Sequence, residues 1–194
     1  MSSARGVSIV QILVAMGLTA VVAAMAVPMT RNALGDFRLR GDARSLNNAM
    51  SLTKMRAASD FTNARLYVAL DSKSFHIETW QKTGPAWAAE GGITALSGFD
   101  TFGYGVVGAA PPNTQAAIAQ AAQCRTAAGA VIGNTACVVF NSRGIPVDTT
   151  GAPTGAGAVY LTDNTAVYAV TMSASGLIKL WRTNPAATPA WSLQ

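Results

Sequence analysis

RGVSIVQILVAMGLTAVVAAMAVPMTR, running from Arg5 to Arg31, is the stretch that decides the fold. No side chain between its two arginines is charged, and the apolar run from Val7 to Met29 exceeds the ~20 residues with which a helix crosses a ~30 Å bilayer core. Small residues recur every four positions, at Ala15, Thr19 and Ala23 and at Ala20 and Ala24, a spacing that lets helices approach closely. Pro28 has no N–H to donate to the carbonyl of Ala24, so a kink is expected there, or local melting between Gly17 and Pro28 outside the membrane.

Three readings of this run compete. A secretory signal peptide would be cut at Ala24-Met25-Ala26, but such signals have an apolar region of about 7–15 residues, and Gly6 separates the short basic start from the run. A plain anchor takes its orientation from flanking charge. Here Arg31, Arg38, Arg40 and Arg44 follow the run and only Arg5 and the N-terminal amine precede it, which gives no strong N-in bias. The third reading rests on Arg5-Gly6-Val7-Ser8-Ile9-Val10-Gln11-Ile12-Leu13-Val14. This stretch resembles the type III signal of type IV pilins and pseudopilins, in which a basic leader ends in Gly and an apolar helix follows the cut. Pro28 falls at that family's usual helix proline.

The resemblance implies a leader of residues 1–6, cleavage after Gly6 by a membrane prepilin peptidase, and methylation of the new N-terminus at Val7. It also implies that residues 7–30 stay on the mature chain, first as a single-pass segment of the bacterial inner membrane and then in a filament core, with the head in the periplasm. The implied partners are other pilins or pseudopilins and an inner-membrane assembly platform. One position departs from the family pattern: Gln11 stands where Glu is usual. A carboxylate in a bilayer is costly and kept for a function, in pilins thought to be pairing with a neighbour's N-terminal ammonium. Gln11 accepts a hydrogen bond but supplies no charge, which fits a tolerated variant in a low-copy subunit or a subunit at the filament tip. A minor, tip-proximal subunit is the expectation.

Beyond Pro28 a helical period resumes. Leu39, Ala43, Leu46, Met50, Thr53 and Ala57 fall on one face, with Arg40, Arg44, Asn48 and Arg56 opposite. One helix from about Ser8 to Ser59 is expected, its second half (31–60) amphipathic and packed on a head. The period then changes. Strands are expected at 64–70 and 74–80 around a turn at Asp71-Ser72-Lys73, and at 137–140, 158–161, 166–171 and 177–181. Residues 82–136, rich in Gly and Ala, read as a variable excursion with a strand near Tyr104 to Val107 and a short helix over Thr114 to Gln123. A long helix followed by a meandering antiparallel sheet over 61–194 is an α+β, pilin-like arrangement.

Two further segments narrow the resemblance. Val138-Val139-Phe140-Asn141-Ser142-Arg143-Gly144 is similar to a strand and turn of GspH/FimT-type pseudopilins, and Tyr168 to Leu180 is similar to that family's closing hairpin. Some members bind DNA through a Gly-Arg-x-Arg motif in this hairpin. The matching place reads Gly176-Leu177-Ile178-Lys179, with Arg182 and Arg143 as further candidate phosphate contacts and Trp181 and Trp191 as candidate stacking platforms. A solvated strand face and packed indoles are the alternative.

Composition adds exclusions. The net charge is +5 without a like-charge run, so it permits anionic partners and requires none. His76 is the only histidine and reads as a partly exposed strand residue, so no His-based triad or multi-His metal site can form from one chain. Asp71, Asp148 and Asp163 lie in turn sequences, where Asp supports the backbone. Neither a phosphate loop nor a dinucleotide fingerprint occurs. The chain reads as a structural subunit without catalytic residues, metal or cofactor. Cys124 and Cys137 are too far apart for a CxxC site; outside the cytoplasm such a pair often closes a disulfide, the alternative being two free thiols.

Overall fold

The structure, a computed structural model, describes residues 8–194 apart from the side chains of Met25 and residues 27–33. Gly6 and Val7 lie outside the described residues, as does the Pro28 side chain. Helix α1 runs Ile9–Ser59 and its assignment continues through Pro28. Among the described residues no helix is long and apolar enough to cross a membrane. The chain divides into two compact units that meet within α1, one ending at Phe37 and the other spanning Arg38–Gln194.

In the second unit the helix buries its apolar stripe without remainder. Leu39, Ala43, Leu46, Met50, Thr53 and Ala57 are all 0% exposed, whereas Arg40, Arg44, Asn48 and Arg56 face solvent. The Thr53 hydroxyl enters this apolar stripe because it donates back to the Ala49 carbonyl at 2.7 Å. The helix stops where Phe61 turns to positive φ (50°) and the Thr62 N–H reaches back to the Ala57 carbonyl at 3.2 Å. That is a Schellman ending with Phe in the place glycine usually takes.

Ten strands follow: β1 Ala64–Ala69, β2 Ser74–Gln81, β3 Ala86–Ala95, β4 Thr101–Phe102, β5 Thr135–Phe140, β6 Pro146–Val147, β7 Ala158–Thr162, β8 Val167–Met172, β9 Ile178–Thr183 and β10 Ser192–Leu193. They form two five-stranded sheets, β3-β2-β1-β5-β6 and β10-β9-β8-β7-β4, rather than one meander. Every pairing is antiparallel. Both sheets turn alternate residues onto the helix stripe: Leu66 and Val68, Val138 and Phe140, Val159 and Leu161, Val170 and Met172 share one core with Leu39, Leu46 and Met50. The split into two sheets follows from this shared task, since each covers part of one helix.

The excursion differs from expectation. Ala86–Ala95 is a strand, although its alanines and glycines disfavour one, because it pairs antiparallel with β2, with a register shift between Phe75 and Ile77. Tyr104 to Val107 is not a strand, and Thr114 to Gln123 is not a helix. These residues instead cover the outer face of the second sheet. Ala121 donates to the Ala158 carbonyl (2.7 Å), the Gln120 amide exchanges hydrogen bonds with the Tyr160 backbone (both 2.9 Å), and Tyr104 and Ile118 pack with Tyr160, Val167 and Ala169. Sheet contacts made by side chain and backbone outweigh the helix propensity of an Ala- and Gln-rich stretch. Cys124 and Cys137 are joined by a disulfide, with Cα atoms 4.9 Å apart, that ties this covering segment to β5.

Two stability predictions follow from this packing. Leu46→Ala is expected to cost about 2–5 kcal/mol, and Arg44→Ala less than about 0.5 kcal/mol, as read by urea unfolding. Replacing both cysteines with Ser is expected to cost about 3 kcal/mol in the chain-entropy description of a loop of this length, with the helical circular dichroism retained.

Candidate functional site

Three regions of the surface carry features beyond packing. The first is the N-terminal part of α1. Ile9, Val10, Leu13, Met16, Leu18 and Val22 are exposed, and at 3.6 residues per turn they point in every direction around the helix. A helix apolar on all sides is a buried element in its working state. Gln11 sits at its start with a role the sequence reading missed. Its Oε1 accepts the N–H of Ser8, the residue before the first helical one, at 3.2 Å. Ser8-Ile9-Val10-Gln11 is thus the S-x-x-Q spacing of a capping box, a signal present in the sequence.

The second region is where two turns meet the helix. Gly144 (φ 70°) and Gly176 (φ 79°) both lie against Lys54, whose Nζ donates to the Gly176 carbonyl at 2.9 Å. A Cβ on Gly176 would stand 2.7 Å from the Gly144 carbonyl oxygen. Arg143 is exposed on the first of these turns. Lys179 and Arg182 are not brought onto one face. Alternation along β9 puts Leu180 and Arg182 on the helix side and Lys179 and Trp181 on the other. Consistently, the Arg182 guanidinium lies 6.0 Å from the Tyr168 ring of the main core, whereas Lys179 Nζ lies 5.8 Å from the Trp181 ring. Neither indole is a free platform. Trp181 Nε1 donates to Thr171 Oγ1 (3.0 Å), Trp191 Nε1 to the Ala109 carbonyl (3.0 Å), and both pack on the outer face of the second sheet. Lys179 and Arg182, the two candidates on β9, therefore lie on opposite faces of the sheet.

The third region is a pair of buried carboxyl groups that the sequence reading did not single out. Asp42 on α1 accepts both the N–H and the hydroxyl of Ser97. Asp100 is 3% exposed and its Oδ2 has no partner. Burial and, next, the neighbouring Asp42 push the Asp100 carboxyl up to about 7.

Remaining polar residues are spent locally. His76 stacks on Tyr67 (4.8 Å) and lies 3.2 Å from Glu78. Arg65 is buried between Glu78, the Arg125 carbonyl and the face of Trp87 (4.2 Å). With Asp148 and the disulfide, Arg65 and Trp87 line a 380 Å³ hollow. Asp148 accepts from Thr150 and Ala152 within its own turn, and these bonds, the Thr150 hydroxyl first, hold its carboxyl below the usual range. Among the described residues no group of three His, Cys, Asp or Glu is placed to hold a metal ion.

Two solved structures, both of the minor pseudopilin EpsH from the type 2 secretion system of Vibrio cholerae, are similar to this chain. One is 14% identical with a TM-score of 0.47, covering 82% of this chain and 99% of that one. The other is 9% identical with a TM-score of 0.38, covering 81% and 96%. No protein-family model matches the chain, and no curated protein sequence does.

The turn junction yields a prediction. Gly176→Ala places a Cβ against a backbone oxygen at positive φ, so it is expected to destabilise the head by at least about 2 kcal/mol. Lys179→Ala is expected to stay within about 0.5 kcal/mol. Thermal unfolding followed by tryptophan fluorescence separates the two.

Proposed function

We propose that this chain is a structural subunit of a pilin-type filament, a minor pilin or pseudopilin placed near the filament tip, and not an enzyme. The observation that carries this reading is the uncharged, all-round apolar surface of α1 from Ile9 to Val22, exposed in a chain whose second unit is otherwise well packed. Exposed apolar area on that scale is unfavourable in water at about 25 cal/mol per Å². It needs lipid around it, or neighbouring helices. A pilin-type subunit provides both in turn: residues 7–30 anchor it in the bacterial inner membrane with the head in the periplasm, and the same surface then packs against other subunits. The small-residue spacing at Ala15, Thr19 and Ala23 suits the second state. In this reading prepilin peptidase removes residues 1–6 and methylates Val7, and the assembly platform extracts the mature chain. Gln11, neutral and with its Oε1 engaged within its own helix, fits a subunit that needs no charge partner above it. The placement of Lys179 and Arg182 on opposite faces of β9 favours contact with protein over DNA as the role of the head.

Mass spectrometry of the chain recovered from membranes, with and without a prepilin peptidase, tests this. A methylated chain beginning at Val7 is expected, dependent on the enzyme and lost in Gly6→Lys. A chain cut after Ala26, or one untouched by the active peptidase, would overturn the proposal.

A further inference from the structure

The segment from Leu96 to Gly103 passes from one sheet to the other across α1. Its first end is fixed by the Leu96 N–H on the Lys73 carbonyl (2.8 Å), before β2. Its second end is fixed by the Gly103 N–H on the Tyr160 carbonyl (2.9 Å). Between them Thr101 and Phe102 pair as β4 with Thr162 and Leu161, closing the edge of the second sheet. Midway, the segment meets the helix at the buried carboxyl pair. Ser97 donates twice to Asp42, and Asp100 lies beside them with one oxygen unpartnered. Two buried carboxyl groups side by side cannot both ionise without strong repulsion, and one proton held between them removes it. The other charged groups that face Asp100 are Arg38, one turn earlier on α1, and Asp163, in the turn between β7 and β8. Arg38 offsets part of the repulsion and Asp163 adds to it. The Arg38 guanidinium also covers the segment, 3.7 Å from where a Cβ on Gly98 would stand.

We propose that a proton held on Asp100, buried beside Asp42, makes a pH-sensitive latch, which holds segment 96–103 on α1 and β4 on the sheet edge, and which lets go of both when the proton leaves. The Asp100 carboxyl is raised from 3.8 to about 7, by burial first and by Asp42 next. Between those values the folded chain keeps a proton that an unfolded chain has released. The latch is therefore fully present at acidic pH and is lost as the pH rises through about 7. Release uncovers the backbone of Leu161 and Thr162 on β7, an open edge able to pair with another strand. This inference does not depend on the filament reading.

Amide hydrogen exchange tests it, on the full chain in detergent micelles with EDTA, corrected for the intrinsic pH dependence of exchange. Protection at Thr101 and Phe102 is expected to fall by up to about tenfold between pH 6 and pH 8, while protection in β1 stays constant. Asp100→Asn, which removes the titrating group, is expected to abolish the step, and Asp42→Asn, which removes the neighbouring charge, to move it to lower pH. Equal protection at both pH values, or a step that persists unmoved in Asp100→Asn, overturns the latch.

Discussion

The head depends on one stripe of side chains. Leu39, Ala43, Leu46, Met50, Thr53 and Ala57 lose all contact with solvent, and β1, β5, β7 and β8 each place residues in the one core that contains this stripe. Because a strand exposes alternate residues to each side, burying Leu66 and Val68, or Val138 and Phe140, on this stripe fixes strand register to the residue. A one-residue slip in β1 would send Arg65 and Tyr67 into the core and Leu66 out. The helix thus acts as the template on which two sheets, joined by no shared strand pairing, acquire consistent faces.

That template explains which parts of the fold were legible. The stripe is visible in the sequence as a 4-3-4-3-4 spacing, and β1, β2, β7, β8 and β9 are visible as β-branched and aromatic runs between turns. These elements bury side chains whose type reveals the burial. The segment 82–136 buries little through side-chain type. β3 is held by backbone pairing with β2, and Thr114 to Gln123 by backbone and amide bonds to β7. An Ala-rich segment looks the same in sequence whether it forms a helix or a cover for a sheet, and tertiary hydrogen bonding decided the matter here. The second apolar cluster, around Tyr160, exists because that cover gives β7 and β8 two buried faces. Both strands read as continuous buried runs, and in hindsight that is the signal that something must lie on the outer face.

Charge was legible in number but not in position. Lys179 and Arg182 lie close along the chain, and strand alternation separates them by the thickness of the sheet. Asp42 and Asp100 look unrelated, 58 positions apart in sequence, and the crossing segment brings them into one buried site. Local patterns predict neighbours along an element well. They carry no information about which loop returns to which helix, and buried polar pairs are made by such returns.

Gln11 shows how one residue can satisfy two constraints. At the start of a helix the first N–H groups lack partners, and in an apolar setting each unmet donor costs more than it does in water. Glu and Gln both answer this from the third helical position, by reaching back to the N-cap N–H. They differ in what must be buried with them. A carboxylate in a low-dielectric surrounding requires a counter-charge, whereas an amide requires only hydrogen bonds. With Oε1 already engaged by Ser8, Gln11 enters an apolar environment without needing a counter-charge from a neighbour. In the proposed filament, a subunit with Glu at this place is stabilised by the ammonium of the next chain. A subunit with Gln is indifferent to whether that next chain exists, and the end of a filament is where it does not.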